Sequence, residues 1–461
     1  MNEINWQGRR VVIVGAARQG TALAAYLAGK DALVTLSDMR PKEHFAQVQA
    51  DLSSKNIHWL FGEPDLEILE RTDLLCLSGG VSPEIPLVIE AKRRAIPISN
   101  DSQIFLDTVP CPVVGITGSA GKTTTTMLVG RMLASMQGES IRKVWVGGNI
   151  GNPLISVVDQ IQESDLAVLE LSSFQLELMN RSPHIAALLN LAPNHLDRHA
   201  NMADYAAAKA MILDFQNTED IAVLGREDIG AWTMKERVRG NLWSFGRKAM
   251  SENQFGSFIA DEHICLRDGQ GERRILPISA IELLGDHNVL NVLAATVIAK
   301  LAGASDVAIA SGVEGFTGAP HRLEKVRQLN GVDWYNDSIA TSPQRAEASL
   351  RSFERPVVLL AGGRDKGLDW ESFAATANAR AKAVLAFGEA ADLVKKEFST
   401  AADNDIEVSL HEDLHSALGA AAEIATNGDV VLLAPGGTSF DEFEDFEERG
   451  ERFRDWVADL E

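Results

Sequence analysis

One segment restricts the fold of this chain more than any other: Val113-Val114-Gly115-Ile116-Thr117-Gly118-Ser119-Ala120-Gly121-Lys122-Thr123-Thr124. A β-branched apolar run enters a glycine-rich turn, and the residues beyond it, Thr123–Ala134, read as a helix. Strand, turn and helix in that order predict a parallel α/β layer, with the helix N-terminus at the carboxyl edge of the sheet. Backbone N–H groups there cradle phosphates, and Lys122 is placed to neutralise β/γ charge. The Thr123 hydroxyl stands where a P-loop supplies a magnesium ligand. The match is to the short G-x-x-G-K-[ST] form, because Ile116 stands where the longer pattern has glycine. A structural turn with a surface lysine is the alternative, and it gives no reason for the strand and helix around the motif.

The same alternation recurs along the chain. Strands are expected at Arg10–Val14, Ala32–Leu36 and Leu74–Leu77, with a helix at Gly20–Ala28. After the P-loop come strands Leu166–Glu170 and Ile185–Leu189, a β-rich stretch over 219–280, and a helix at Val289–Leu301. Apolar runs closed by glycine-containing turns follow at Val357–Leu360, Ala383–Phe387 and Val430–Leu433. At 461 residues the chain exceeds one ordinary domain. We expect three α/β domains: a Rossmann-like N-terminal domain over 1–107, a P-loop ATPase-like central domain over 108–318, and a Rossmann-like C-terminal domain over 319–461.

A formal charge of −22 disfavours nucleic acid as a partner. No apolar run reaches the roughly 18 residues of a membrane span, and Met1–Trp6 does not read as a signal peptide. Cys76, Cys111 and Cys265 form no C-x-x-C pair, which suits a reducing cytoplasm better than a disulfide framework. A cytoplasmic protein is expected, with no nucleic acid and no membrane among its partners.

Further motifs carry chemistry less sharply. Gly15-Ala16-Ala17-Arg18-Gln19-Gly20 follows a strand, but Ala17 stands where a dinucleotide fingerprint has glycine. It reads as a docking turn for a nucleotide-bearing substrate, for NAD, or as a structural βα turn, with Asp38 positioned to meet a ribose hydroxyl. Glu170 closes a strand predicted beside the P-loop strand, where it holds Mg²⁺ or is simply an edge residue. His195 and His199 have zinc-like spacing, yet Leu196 replaces the glutamate a zincin needs, so caps or surface histidines remain open. Lys209 on its helix reads by default as a solvated lysine. Phe440, Phe443 and Phe446, three residues apart in the acidic C-terminal stretch, predict an aromatic stripe on one helix.

Taken together and in order, the motifs resemble the Mur ligases across nearly the whole chain. The P-loop is followed by Gly147-Gly148-Asn149-Ile150-Gly151, E-L-S-S-F-Q-L-E from Glu170 and N-H-L-D-R-H from Asn194. Then come Y-x-x-x-K ending at Lys209, Leu284-Gly285-Asp286-His287-Asn288 with Asn291, Pro320-His321-Arg322-Leu323-Glu324 and Asn336-Asp337-Ser338. E-L-S-S-F-Q-L-E and the C-terminal S-F-D-E-F-E-D-F-E-E-R-G resemble the MurD branch most. The resemblance implies an ATP-dependent ligase that adds D-glutamate to UDP-N-acetylmuramoyl-L-alanine through an acyl phosphate, in cytoplasmic peptidoglycan precursor synthesis, as a monomer. Alternatives are another Mur-type or folylpolyglutamate-like ligase, or use of L-glutamate. An NAD-dependent oxidoreductase or a nucleotide-sensing module would leave part of the series unexplained.

Residue roles follow from the same resemblance. Gly118, Ser119, Ala120, Gly121, Lys122, Thr123, Thr124, Asn291, Arg322 and Asp337 would bind ATP. Thr123, Glu170, His195 and Lys209 would serve two Mg²⁺ ions, with Lys209 carrying a CO₂-derived carbamate; Lys122, Glu170, His195 and Lys209 form the catalytic set. Arg18, Gln19, Asp38 and Arg40 would meet the UDP portion and Asn149 the muramoyl end, with Gly80 and Ser172 also on the substrate. Thr341, Lys366, Ser439 and Phe446 would hold the glutamate. Ile339 stands where many members have lysine, which puts more of that task on Lys366.

Overall fold

The computed structural model describes residues 4–136, 141–193, 198–199, 201–283, 285, 287–400 and 406–461. His195 lies outside the described residues, as do Asn194, Asp197 and Asp286 of the motifs above. Two compact units are present: Met1–Ile281 with Asp286–Gly315, and Glu282–Gly285 with Phe316–Glu461.

The first unit holds two sheets. In the first, β1 (Arg10–Val14), β2 (Leu33–Asp38), β3 (Ile57–Phe61), β4 (Leu74–Leu77) and β5 (Ile98–Ser99) lie in the order β3-β2-β1-β4-β5. The pairings are all parallel. The strand order turns at β1 and β4, the place where an open α/β sheet opens a crevice beyond its carboxyl ends. β1 and β4 are continuous apolar runs because both of their faces are covered.

The second sheet contains β6 (Val113–Thr117), β7 (Val144–Gly148), β8 (Leu166–Glu170), β9 (Ile185–Leu188), β10 (Ile221–Gly225), β11 (Asn241–Phe245), β12 (Gly256–Ala260), β13 (His263–Asp268) and β14 (Gly271–Pro277). Its order is β14-β13-β12-β11-β10-β9-β6-β8-β7, so the P-loop strand β6 sits between β8 and β9. The β-rich stretch over 219–280 is accounted for by β10 to β14, the last two pairings being antiparallel. One apolar core runs through both layers, joining Leu23, Phe105 and Leu106 to Leu154, Met179 and Leu188. That shared core is the physical reason the two sheets form one unit.

The second unit is built on β15 (Glu324–Leu329), β16 (Val332–Asn336), β17 (Val357–Gly362), β18 (Ala381–Phe387), β19 (Glu407–His411) and β20 (Val430–Gly436), ordered β15-β16-β20-β17-β18-β19. The expected α/β class holds in all three sheets.

Two expectations are corrected. The aromatic stripe is not on one helix: the C-terminal helix begins at Phe446, capped by the Asp445 carboxylate, which accepts from the Glu448 N–H. Phe440 is therefore exposed, while Phe443 packs toward Trp456 from a turn. Lys209 is not solvated. It is 1% exposed on the helix Met202–Asp214, because the small residues around it let that helix approach the sheet closely.

Candidate functional site

Local sequence builds the P-loop. Gly121 caps the helix Lys122–Ala134 with φ +83, and a Cβ there would lie 2.1 Å from Asn291 Oδ1. Both the left-handed backbone and the close approach require glycine. Lys122 Nζ donates to the carbonyls of Gly118 and Ser119 at 3.0 and 3.4 Å. The turn is braced from the segment after β9: Asn190 Oδ1 accepts from Ala120 N–H at 2.8 Å, and Ser119 exchanges hydrogen bonds with the Ala192 backbone. Ala120, Gly121, Phe245, Arg247, His287 and Asn291 line part of a cavity of about 450 Å³ beside it. Thr124 continues the first turn of the helix.

Beside the loop, Glu170 at the end of β8 is 2% exposed. It accepts from the Thr123 hydroxyl at 2.8 Å and from Asn149 Nδ2 at 2.9 Å. Gly148, at φ +102, allows β7 to pass so close that a Cβ would stand 2.4 Å from the Glu170 carbonyl oxygen. A carboxylate and a hydroxyl at this separation are hard oxygen donors of the kind Mg²⁺ takes.

Lys209 Nζ donates to Thr117 Oγ1 at 3.1 Å, at the end of the neighbouring strand β6. Burial pushes its ammonium well below the ordinary lysine range; Lys122 repels it further, and Glu170 pulls the other way. Thr123, Asn149, Glu170 and Lys209 are thus brought into one corner. Ser172 is committed differently: its hydroxyl caps the helix Ser173–Leu176 in a capping box with Gln175. His199 is buried, hydrogen-bonded to Ser173 Oγ at 3.0 Å and stacked on Phe174.

At the carboxyl edge of the first sheet lie two cavities. The larger, about 700 Å³, is lined by Gly15, Asp38, Met39, Gly80 and Val81 among others. The smaller, about 220 Å³, brings Arg18, Gln19 and Gly80 together with Gly148 and Asn149. Arg40 grips Asp38 with Nε and Nη2, each at 2.9 Å, and Ala16 N–H donates to it at 2.7 Å. Burial alone would raise the Asp38 carboxyl, but Arg40 and the backbone donors bring it down to about 2. It is therefore a fixed anion beside the cavity, already paired with Arg40.

In the second unit, Asp337 is buried, accepting from Ser349 Oγ at 2.5 Å and from Leu323 N–H at 3.0 Å. Burial pushes its carboxyl up to about 6 against those bonds and the charges of Arg322 and Arg345. Lys366 Nζ lies 3.4 Å from Thr341 Oγ1, so two of the residues that the resemblance assigns to glutamate are neighbours. Burial lowers the Lys366 ammonium, and Arg345 and Arg449 add repulsion. Ser439 is buried, and Phe446 meets His321 edge-on at 6.3 Å. Sequence reasoning missed Arg345 and Arg449. No motif marks Arg345, and Arg449, fully buried against the carbonyls of Ser338, Gly437 and Thr438, sits in an acidic stretch with no local sign of its burial.

Residues 9–100 match the MurD-like N-terminal domain of Mur ligases, 116–299 the Mur ligase middle domain, and 321–437 the glutamate ligase domain of Mur ligases. The UDP-N-acetylmuramoylalanine–D-glutamate ligase of Symbiobacterium thermophilum is 39% identical, with 98% of each chain covered. The enzyme of the same name from Koribacter versatilis is 38% identical, again over 98% of each. Among solved structures, the UDP-N-acetylmuramate-alanine ligase of Thermotoga maritima shares the fold, with a TM-score of 0.55 at 19% identity over 97% of this chain and 99% of that one.

Proposed function

This chain belongs to the Mur ligase family, and we infer that it joins D-glutamate to UDP-N-acetylmuramoyl-L-alanine at the cost of ATP, in cytoplasmic peptidoglycan precursor synthesis and as a monomer. Nearly full-length similarity to ligases of that name carries the reading. The convergence of Lys122, Thr123, Glu170 and Lys209 supports it from the chemistry. Among the described residues no helix is long and apolar enough to cross a membrane.

In the mechanism, an oxygen of the substrate carboxylate attacks the γ-phosphorus of ATP, the bond to the β-bridging oxygen breaks, and ADP leaves. The free amine of glutamate then attacks the acyl-phosphate carbonyl, the nitrogen gives up a proton to solvent, and the tetrahedral intermediate breaks its C–O bond to expel phosphate. Lys122 would exchange its contacts with Gly118 and Ser119 for the β/γ oxygens, with Asn291 beside Gly121; the family resemblance also assigns ATP contacts to Arg322 and Asp337. Thr123 and Glu170 would hold Mg²⁺, which when bound neutralises phosphate charge. Arg18, Gln19, Asp38, Arg40, Gly80 and Asn149 would orient the sugar nucleotide. Most of the rate gain in phosphoryl transfer comes from such positioning and charge neutralisation.

Glutamate carries two carboxylates, so its pocket needs two anion sites. Lys366 with Thr341 would supply one; the Ser439 hydroxyl and backbone N–H groups near Phe446 would supply the other. Lys366→Ala is expected to raise the KM for glutamate by about tenfold or more, the scale of one lost charge-assisted hydrogen bond, with the KM for ATP unchanged within a few-fold. Equal changes in both constants would refute the assignment of Lys366. The substrate itself is tested by phosphate release with ATP, UDP-N-acetylmuramoyl-L-alanine and each glutamate enantiomer separately. Preference for L-glutamate, or for an amino acid without a side-chain carboxylate, would overturn the D-glutamate reading and leave the ligase reading standing.

A further inference from the structure

Arg198 has no part in the roles above, yet two other segments of the first unit meet on its guanidinium. Nη1 donates to the Gly80 carbonyl and Nη2 to the Val81 carbonyl, each at 3.0 Å. Its Cζ lies 4.7 Å from the centroid of the Phe174 ring. His199, the next residue, stacks on that same ring at 5.4 Å with 8° between the planes. The Arg198 charge also acts on Glu177, a half-buried carboxylate that burial raises.

The two ends of this bridge have different neighbours. The Gly80–Val81 turn follows β4, and its N-terminal side is pinned where Gly79 N–H donates to Gln19 Oε1 at 3.1 Å. Gly80 lines both the larger and the smaller cavity, so the turn forms the wall they share. Phe174 stands four residues beyond Glu170, whose carboxylate takes the Thr123 hydroxyl. Cohesion of the two layers does not need the arginine, because the apolar core already joins them. What the arginine adds is direction. A planar guanidinium donates to two successive carbonyls through two separate nitrogens in a fixed fork while lying over an aromatic ring, whereas a lysine ammonium is a point charge on a flexible stem and has no such fork.

We propose that Arg198 is a positioning residue for the sugar-nucleotide substrate, holding the Gly80–Val81 turn against the Phe174 segment. The nucleotide end beside the turn and the reacting carboxylate near Glu170 are thereby kept in one register. This rests on the ligase reading of the site, and the test separates the two.

The full-length enzyme and its Arg198→Ala and Arg198→Lys variants are compared in steady state with ATP, D-glutamate and UDP-N-acetylmuramoyl-L-alanine, alongside thermal melts. Arg198→Ala is expected to raise the KM for the sugar nucleotide and to lower kcat, each by about tenfold, the scale of a lost charge-assisted hydrogen bond. The KM for ATP stays within about twofold. Arg198→Lys, which keeps charge but not the fork, recovers only a minor part. A merely structural role would lower the melting temperature and spread the losses over all three substrates; that result overturns the proposal. So does Arg198→Lys with wild-type constants, which keeps the test decisive if the alanine variant fails to fold. If the parent enzyme itself does not ligate these substrates, the ligase reading fails. Calorimetric titration of UDP-N-acetylmuramoyl-L-alanine into parent and lysine variant then decides on Arg198, equal affinities counting against it.

Discussion

Lys122→Ala is expected to remove ligation, with kcat/KM falling by about 10²–10³-fold or more, the effect of deleting one preorganised charge-stabilising donor. The fold should be indifferent to the change. The lysine's hydrogen bonds go to carbonyls of Gly118 and Ser119 in a partly exposed turn, where water replaces the ammonium. The turn keeps its shape because Gly121, Asn190 and Ser119 hold it independently of the lysine. With the amine gone, the β/γ charge that builds as the carboxylate attacks loses its nearest cation. Phosphate release at saturating ATP, with a circular-dichroism melt to verify folding, reads the result. Activity within a few-fold of the parent would sink the P-loop assignment.

The second large effect concerns Lys209, which we propose is carbamylated. Only a neutral amine attacks CO₂; the nitrogen–carbon bond forms, one C=O electron pair moves to oxygen, and the nitrogen releases a proton, leaving an anionic carbamate. An ordinary lysine is almost wholly protonated at neutral pH. Burial and the Lys122 charge hold this one well below the ordinary lysine range, a shift that favours its free amine. The same shift has a consequence for stability. Between the depressed value and the ordinary 10.5 the unfolded chain holds a proton that the folded chain lacks. Stability attributable to this group therefore rises with pH through that window and is diminished at neutral pH. Lys209→Met is accordingly expected to melt no lower than the unmodified parent at pH 7, yet to lose about 10²-fold or more in kcat. Lys209→Ala leaves room for a small anion, and acetate or formate should restore part of its activity. Full activity of either variant, or no ¹³C carbamate resonance from the parent equilibrated with ¹³CO₂ near neutral pH, would defeat the assignment.

The legible parts of this protein are those in which neighbours in sequence are neighbours in space. Val113–Thr124 announces strand, turn and helix because each piece is local: β-branched residues, glycine at a left-handed turn, then helix formers. Glu170 at a strand end is legible for the same reason, since parallel strands deliver their carboxyl ends to one edge.

Other features have no local signature. The Ser172 hydroxyl forms a capping box with Gln175, and the Phe440-to-Phe446 spacing breaks where Asp445 caps a helix. Lys209 and Arg198 are each, within their own segments, ordinary cations. Lys209 bonds to a hydroxyl 92 residues earlier, and Arg198 bonds to carbonyls 118 and 117 residues earlier. Side-chain periodicity specifies which face of an element is apolar; it does not specify which distant element arrives there. That is settled when the sheets pack over a shared core; burial then lowers the Lys209 ammonium below its ordinary range, and packing sets the direction in which Arg198 points.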